Sequence, residues 1–202
     1  MTTPDAIAAA KAGLRRTVLA ARAQRTPDAR RKAGRRIAAV AADLLGGWSP
    51  AVAAVYLAIG TEPPTDQLIA VLADRGCRLI VPILRDDGDL DWTPYHPADP
   101  TEPGLRGTLI PTQPRALGVE AVSTADLIVV PALAVDPTGV RLGRGGGGYD
   151  RALRRRSPGS LTVAVIYDDE LVPSLPEADH DQRVDAALTP SRTHRFRAGS
   201  SP

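Results

Sequence analysis

The pattern of apolar and polar positions along the 202-residue chain predicts helices that alternate with strands. Apolar residues at helical spacing cover 5–24, and Thr26-Pro27 begins a second helix that ends near Leu45. A short helix should run from Thr65 to Ala73. Apolar runs predict strands at 51–58, 77–84, 90–95, 126–135, 161–167 and 185–189. Such alternation favours an α/β domain with a mainly parallel sheet covered on both faces.

The rest of the pattern indicates one domain over 1–202. Residues 96–118, rich in Pro and Gly, should form an irregular excursion, and 191–202 should be a frayed tail. The uncharged stretch 44–61 is interrupted by glycines and a proline, so we expect no membrane span. The first 25 residues lack the apolar core of a secretory signal, which predicts a cytoplasmic protein.

Composition excludes several kinds of site. Aromatic residues make up only 3% of the chain, which disfavours a surface that stacks nucleic-acid bases. A single cysteine, Cys77, excludes an internal disulfide and a structural zinc cluster, and three histidines make a multi-histidine metal site improbable. Cys77 lies in an apolar run, so we expect a buried packing residue rather than a nucleophile.

Charge is distributed unevenly although the net charge is only +2. Residues 11–36 contain ten Lys and Arg and one acid, Asp28, so this segment carries +9 and the remainder −7. Three interpretations are open: a solvated helical face, a patch that attracts an anionic ligand, or a nucleic-acid-binding surface.

The segment 131–151 holds the strongest candidate chemistry. Four consecutive glycines, 145–148, allow backbone N–H groups to converge on an anion. Arg141 and Arg144 add positive charge, and Asp150 is placed to hold the metal that accompanies a polyphosphate. Glycines, arginines and a Tyr-Asp pair together favour phosphate binding over a flexible surface loop.

Two familiar phosphate motifs fit this loop poorly. The Lys and Ser/Thr of a Walker loop are absent. Gly143, Gly145 and Gly148 do match G-x-G-x-x-G, and Asp168 follows at about the right spacing. However, the segment 136–142 separates these glycines from the preceding strand, whereas a dinucleotide site needs a direct strand-to-helix turn. A dinucleotide-binding oxidoreductase therefore stays as an alternative.

Three weaker features accompany the loop. Glu62 follows a strand end, which is a usual ligand position in an open α/β sheet. Lys11 and Arg15 share one helical face and can clamp one anion. The acidic run 176–185 indicates either a divalent cation site or a solvated loop.

These pieces, in this order from Lys11 to Asp185, resemble the 5-formyltetrahydrofolate cyclo-ligase (5,10-methenyltetrahydrofolate synthetase) family. The most specific part is the run 131–151, which reads Pro-x-Leu-x-x-Asp-x-x-Gly-x-Arg-Leu-Gly-x-Gly-x-Gly-x-Tyr-Asp-Arg. The resemblance implies a three-layer αβα fold like that of sugar-phosphate isomerases and CoA transferases. It implies a monomer that acts on a folate and binds neither nucleic acid nor membrane.

The implied reaction is the ATP- and Mg²⁺-dependent conversion of 5-formyltetrahydrofolate to 5,10-methenyltetrahydrofolate, with release of ADP and phosphate. The formyl oxygen attacks the γ-phosphate, and the neighbouring amine nitrogen then displaces phosphate as the ring closes. Phosphoryl transfer depends mainly on positioning and electrostatics, so the lack of an obvious catalytic His or Cys is consistent with it.

Matching positions imply the following roles. Arg144 and Tyr149 would be catalytic, Asp150 and Asp181 would hold magnesium, and the folate would contact Leu57, Glu62 and Tyr149. The ATP contacts would be Lys11, Arg15, Arg141, Gly143, Arg144, Gly145, Gly146, Gly147, Gly148 and Tyr149.

One position departs from the family pattern. Family members usually have two aromatic residues before the loop aspartate, and here Gly148 replaces the first. The missing side chain predicts a looser loop with weaker or altered substrate binding, which the kinetics of Gly148→Tyr would test.

Overall fold

The computed structural model describes residues 3–196 as four helices and eleven strands, with short 3₁₀ turns between them. The helices are α1 (Pro4–Ala23), α2 (Pro27–Leu45), α3 (Asp66–Asp74) and α4 (Gly148–Arg154). The strands are β1 (Val52–Ala54), β2 (Arg78–Leu84), β3 (Leu90–Tyr95), β4 (Thr101–Pro103), β5 (Leu109–Pro111), β6 (Leu127–Pro131), β7 (Ala134–Val135), β8 (Arg141–Leu142), β9 (Leu161–Val165), β10 (Ala186–Leu188) and β11 (Thr193–Arg195).

Seven strands form the main sheet in the order β11-β10-β9-β6-β1-β2-β3. The pairs β10–β9, β9–β6, β6–β1 and β1–β2 are parallel, whereas β3 and β11 run antiparallel at the two edges. The predicted mainly parallel sheet is confirmed. Its central parallel strands direct their carboxyl ends to one edge, where ligands of open α/β sheets bind.

Alternate residues of the strands pack into two separate apolar layers. Leu127 and Val129 of β6 face α2 and α3, while Ile128 and Val130 of the same strand face α4 and the turn at 119–124. Helices thus cover both faces of the sheet, which confirms the three-layer arrangement. Ala, Val, Leu and Ile build most of both layers, as the low aromatic content requires.

A small hairpin joins the sheet to the glycine loop. We predicted one strand over 126–135, but β6 ends at Pro131 and β7 pairs instead with β8. Leu133 and Leu142 of this hairpin are buried against Leu14 and Val18 of α1. The glycine loop therefore begins from a hairpin that is packed on α1, not from a strand of the main sheet.

Other local expectations meet mixed outcomes. The helix boundaries near residues 5, 26 and 45 are confirmed, but Thr65 does not cap α3 with its side chain. Its hydroxyl donates to the Tyr56 carbonyl at 2.8 Å and accepts from the Ala58 N–H at 3.2 Å. The expected frayed tail is wrong for its first part, since Thr193–Arg195 pairs with β10, and 197–202 lie outside the described residues.

A buried ion pair fixes α1 against the sheet. Both partners, Arg22 and Glu170, have side chains at most 3% exposed. Arg22 Nε and Nη2 each donate to Glu170 at 2.7 Å, and Nη2 also donates to the Ala132 carbonyl at 2.6 Å. Glu170 also accepts from the Tyr167 N–H at 2.9 Å. Removing either partner would leave the other charge buried without compensation.

We therefore expect Arg22→Ala to lower the free energy of unfolding by about 3 kcal/mol or more. Urea denaturation monitored by circular dichroism measures this loss. Arg31→Ala is the matched control, because Arg31 pairs with Asp28 on the same basic segment with both side chains mostly exposed. The control should change stability by less than about 1 kcal/mol. Equal losses in both variants would contradict a special role for the buried pair.

Candidate active site

Loops from distant parts of the chain meet at the carboxyl edge of the parallel strands. They are the segment 57–62 after β1, the glycine loop 143–147 before α4, and the acidic segment 176–182. α1 lies beside them and supplies the cations Lys11 and Arg15. The fold thus assembles the separate candidate features of the sequence at one place.

The two cations of α1 hold two different loops. Lys11 is buried and its ammonium group pairs with Asp181 in the acidic segment. Arg15 Nε donates to the Gly143 carbonyl at 2.9 Å. The Arg15 guanidinium also lies beside Gly145, where a Cβ would approach Cζ to 3.3 Å. In this structure they do not clamp a common partner, and they connect the acidic segment and the glycine loop to one helix face.

Arg141 lies buried beneath the glycine loop. Its Nη2 donates to Asp150 Oδ1 at 2.9 Å, and its Nε is a buried donor without a partner among the described residues. Burial lowers the pKa of Arg141, and the nearby carboxylates Asp150 and Asp181 partly oppose that effect. The guanidinium stays charged at neutral pH, because an arginine side chain is not deprotonated in proteins. An unsatisfied cationic donor at this position suits a phosphate oxygen.

The two aspartates of the proposed metal site lie close in the structure. Asp150 Oδ1 accepts from the Gln182 N–H at 3.1 Å, which brings the acidic segment against the start of α4. Asp181 Oδ2 accepts from the Ala178 N–H at 2.8 Å in addition to Lys11. Burial acts to raise the pKa of Asp181, but Lys11 and the Ala178 N–H outweigh it and hold the pKa below its usual value.

These residues fit a magnesium ion whose remaining ligands are supplied by phosphate and water. Residues 3–196 contain no group of three or more His, Cys, Asp or Glu side chains able to hold a metal alone. Magnesium, however, usually takes one or two carboxylates together with substrate phosphates and water. Asp150 and Asp181 can supply that many carboxylates, so the donor set suits a metal that arrives with a polyphosphate.

Glu62 forms the wall between the glycine loop and a cavity. It is a buried carboxylate, and its Oε2 accepts from the Ile59 N–H at 3.0 Å. Its Oε1 accepts from Arg144 Nε at 3.1 Å, although the Arg144 side chain is half exposed. The cavity beside Glu62 has a volume of about 350 Å³, and other residues that line it are Leu57, Arg30, Asp66, Tyr95 and Leu109.

Tyr149 lies where the two apolar layers of the sheet meet. It packs against the residues of both layers from the first turn of α4. Burial raises the pKa of Tyr149, and the nearby Glu62 carboxylate raises it further. The phenol therefore keeps its proton over the physiological range and can act as a hydrogen-bond donor at the centre of the site.

Some supporting residues were missed by sequence reasoning. The Tyr167 hydroxyl lies 3.3 Å from the Glu62 carbonyl and 3.4 Å from the Thr61 carbonyl. The Arg25 guanidinium lies over the Tyr167 ring, 4.1 Å from its centroid. Tyr167 ends a predicted strand, so its position at the ligand edge was the available signal. Arg30, which lines the cavity, could not be distinguished from its basic neighbours.

Comparison with known proteins identifies the family to which the chain belongs. A family model described as the 5-formyltetrahydrofolate cyclo-ligase family matches residues 7–190. This chain belongs to that family. The resemblance carried by the run 131–151 is therefore confirmed over nearly the whole chain.

Similar proteins cover most of the chain. A 5-formyltetrahydrofolate cyclo-ligase of Mycolicibacterium smegmatis is 37% identical over 164 residues, which is 75% of this chain and 82% of the relative. The Escherichia coli enzyme of the same name is 33% identical over 144 residues, or 69% of this chain and 78% of the relative. The solved 5,10-methenyltetrahydrofolate synthetase of Aquifex aeolicus superimposes with a TM-score of 0.77 at 27% identity over 95% of each chain.

Membership in the cyclo-ligase family establishes the activity. The chain is a ligase of folate one-carbon metabolism that converts 5-formyltetrahydrofolate to 5,10-methenyltetrahydrofolate. The alternative of a dinucleotide-binding oxidoreductase is therefore wrong. The structure shows why the glycine motif does not apply: the β7–β8 hairpin lies between β6 and the glycines, where a dinucleotide site needs a direct strand-to-helix turn. The basic segment 11–36 is also not one solvated face, because Lys11 and Arg22 are buried in ion pairs.

The expectation for Cys77 is confirmed by the structure. Cys77 is a buried free thiol whose pKa is raised by burial, as expected of a packing residue. Among residues 3–196, no helix has both the length and the apolarity needed to cross a bilayer.

The lowered pKa of Asp181 predicts a pH-dependent contribution to stability. Its folded-state pKa lies below the ordinary value, so the stabilisation is present above that ordinary value and is lost as the pH falls through the folded one. Asp181→Asn should reduce stability at pH 7 by about 2 kcal/mol and flatten the acid limb of the stability curve.

Urea unfolding between pH 2 and pH 7 in the presence of EDTA measures this difference. Asp179→Asn is the matched control, because Asp179 is an exposed acid in the same segment. The control should keep the wild-type curve. An Asp181→Asn curve parallel to that of the wild type would contradict the assignment.

Proposed function

We propose that this cyclo-ligase binds ATP on the glycine loop 143–147 and the folate in the cavity beside Glu62. The observation that carries the proposal is the contact between Arg144 Nε and Glu62 Oε1 at 3.1 Å. Arg144 belongs to the loop and Glu62 belongs to the cavity wall. Two ligands bound at these places would meet at this contact, as transfer of a phosphoryl group between them requires.

The charge around the glycine loop supports a triphosphate. Lys11, Arg15, Arg141 and Arg144 surround the loop, and the Nε of Arg141 is a buried donor with no partner among the described residues. The loop backbone adds N–H donors without side chains to block a close approach, because 145–148 are all glycine. We assign Gly143, Gly145, Gly146, Gly147, Gly148 and Tyr149 to the same ATP contacts.

The cavity supports a folate. Leu57 contributes apolar surface for a flat ring system, and Glu62 offers a buried carboxylate that can accept from ring or amino N–H groups. Displacement of Arg144 from Glu62 by such donors would leave the guanidinium free for phosphate. This exchange would keep the buried carboxylate satisfied both before and after the ligand binds.

The proposed chemistry follows from these positions. The formyl oxygen attacks the γ-phosphorus, the bond to the β-phosphate oxygen breaks, and ADP leaves. The neighbouring amine nitrogen then attacks the formyl carbon, and its proton passes to the phosphate, which leaves as the carbon–oxygen bond breaks and the five-membered ring closes. Arg144 would neutralise charge on the transferred group, and the Tyr149 phenol would donate to the formyl oxygen and orient it.

A magnesium ion held by Asp150 and Asp181 would neutralise phosphate charge in the site. Arg141 and Lys11 would retain the two carboxylates in place when the metal is absent.

We further propose that the enzyme is a cytoplasmic monomer. In support of the monomer, few large apolar side chains are exposed among residues 3–196: Trp48, Leu105 and Leu117.

Mixing the protein with 5-formyltetrahydrofolate, ATP and magnesium should produce absorbance in the methenyl-folate band. We expect the rise to require both ATP and the metal. Asp150→Ala should lower kcat/KM by about 100-fold or more, since it removes a proposed metal ligand and leaves buried Arg141 without its partner. Unchanged turnover in this variant, or a rise without ATP, would refute the assignment of the loop.

Glu62→Gln tests the folate side separately. Loss of a charged acceptor should raise the KM for 5-formyltetrahydrofolate by about 10- to 100-fold, with a much smaller change in the KM for ATP. Asp66→Asn is the control, because Asp66 is an exposed acid that lines the same cavity. Equal effects of the two substitutions would show that general negative charge, not the Glu62 contact, sets folate affinity.

A further inference from the structure

The tip of the β2–β3 hairpin, residues 85–89, packs directly on the glycine loop. A Cβ at Gly148 would lie 3.0 Å from the Gly88 carbonyl oxygen and 3.3 Å from Leu90 Cγ. A Cβ at Gly88 would in turn lie 3.1 Å from Arg151 Nη2, and Gly88 is buried. The hairpin backbone therefore occupies the space into which a side chain at position 148 would project.

Arg151 of α4 joins the hairpin to the loop. Its Nη2 donates to the Gly88 carbonyl and, at 3.2 Å, to the Gly146 carbonyl. The guanidinium also lies against Gly147, where a Cβ would approach Nη1 to 2.9 Å at a backbone φ of +68°. One side chain thus holds a hairpin carbonyl and a loop carbonyl together.

A second arginine of the same segment orients this contact. Arg155 Nη1 and Nη2 donate to the two oxygens of Asp89 at 3.0 and 2.7 Å, and Arg155 Nε lies 3.2 Å from Glu120. Arg151 Nε lies 3.8 Å from the same Asp89 carboxylate, whose side chain is 14% exposed. The hairpin tip is therefore fixed on α4 by a shared, largely buried carboxylate.

We propose that Arg151 is a positioning residue that holds the glycine loop in the shape required by the triphosphate, with the hairpin tip as its support. The hairpin lies next to position 148, where the family pattern usually has an aromatic residue. A run of four glycines has high conformational entropy when it is unrestrained. The contacts of Arg151 restrain the loop before the ligand binds, so less entropy is lost on binding. This inference rests on the proposed binding of ATP at the loop.

The test compares Arg151→Gln and Arg151→Lys with Arg85→Gln. Arg85 is the matched control, because it lies on the same hairpin tip and pairs with Asp87 in an exposed contact. Isothermal titration calorimetry with a non-hydrolysable ATP analogue and magnesium gives the affinity, and steady-state kinetics give the KM for each substrate. Hydrogen exchange of the 143–149 amides in the nucleotide-free protein reports the loop itself.

We expect Arg151→Gln to weaken nucleotide binding and raise the KM for ATP by about tenfold, while the KM for 5-formyltetrahydrofolate stays within twofold. Exchange of the loop amides should become faster. Arg151→Lys should recover part of the affinity, since an ammonium group can bond one of the two carbonyls. Arg85→Gln should match the wild type in every measurement.

The possible outcomes distinguish the positioning role of Arg151 from the proposed binding of ATP. If the wild type and Arg151→Gln bind nucleotide with equal affinity, the positioning role of Arg151 is overturned and the proposed ATP site is retained. Equal increases in both KM values would overturn the positioning role as well, because they would indicate general destabilisation. If the wild type binds no nucleotide, both the ATP site and this inference are refuted. In that case, faster exchange of the loop amides in Arg151→Gln would show only that Arg151 makes a structural contact.

Gly148→Tyr provides an independent variant. The sequence alone predicts that an aromatic residue here would strengthen substrate binding. The contact with Gly88 predicts the opposite for this chain, because the new side chain must displace the hairpin tip and the Arg151 contact with it. A KM for ATP raised at least several-fold in Gly148→Tyr would support the positioning role of Arg151, and a KM at or below the wild-type value would overturn it.

Discussion

The position of α1 depends on the ion pair between Arg22 and Glu170, and the active site depends on the position of α1. The helix is amphipathic with a sparse apolar face, and its buried residues are the cations Lys11 and Arg22. A buried pair adds little net stability, but it admits few alternative placements because each charge must find its partner. With Arg22 fixed at one end, Lys11 and Arg15 reach Asp181 and the Gly143 carbonyl at the other. Charge pairing thus acts together with the apolar contacts of Leu14 and Val18 in orienting α1.

The same pairing rule governs the site. Asp150, Asp181 and Glu62 each have a cationic partner, namely Arg141, Lys11 and Arg144. A site that receives a polyanion and a metal, as we propose for this one, needs both signs of charge close together, and pairing keeps them satisfied while the site is empty. Arriving phosphates and metal can exchange with these partners, so most of these charges, apart from the half-exposed Arg144, are already largely desolvated before the substrates bind.

The amphipathic and apolar patterns sufficed to predict α1, α2 and the approximate positions of the parallel strands along the chain, because helix periods and buried strand runs are local properties. The β7–β8 hairpin was not predictable, since the apolar run 127–135 continues from β6 into β7 without a polar residue. The chemistry of the run 131–151 was visible because its residue types are rare in combination. The partners of Arg151 were not, because Gly88 and Gly146 contribute carbonyl oxygens, and backbone acceptors leave no trace in residue identity.

A loop of consecutive glycines creates opposite demands that the fold has to reconcile. Close backbone approach to phosphates requires the absence of side chains, yet the same absence leaves the loop without side-chain packing of its own. The neighbours therefore supply the rigidity: Arg15 from α1 bonds the first part of the loop at Gly143, and Arg151 from α4 bonds the later part at Gly146. Both arginines use carbonyl oxygens, which leaves the N–H groups of the loop free to face an anion. The direction of these bonds, rather than the number of glycines, is what makes the loop suited to a triphosphate.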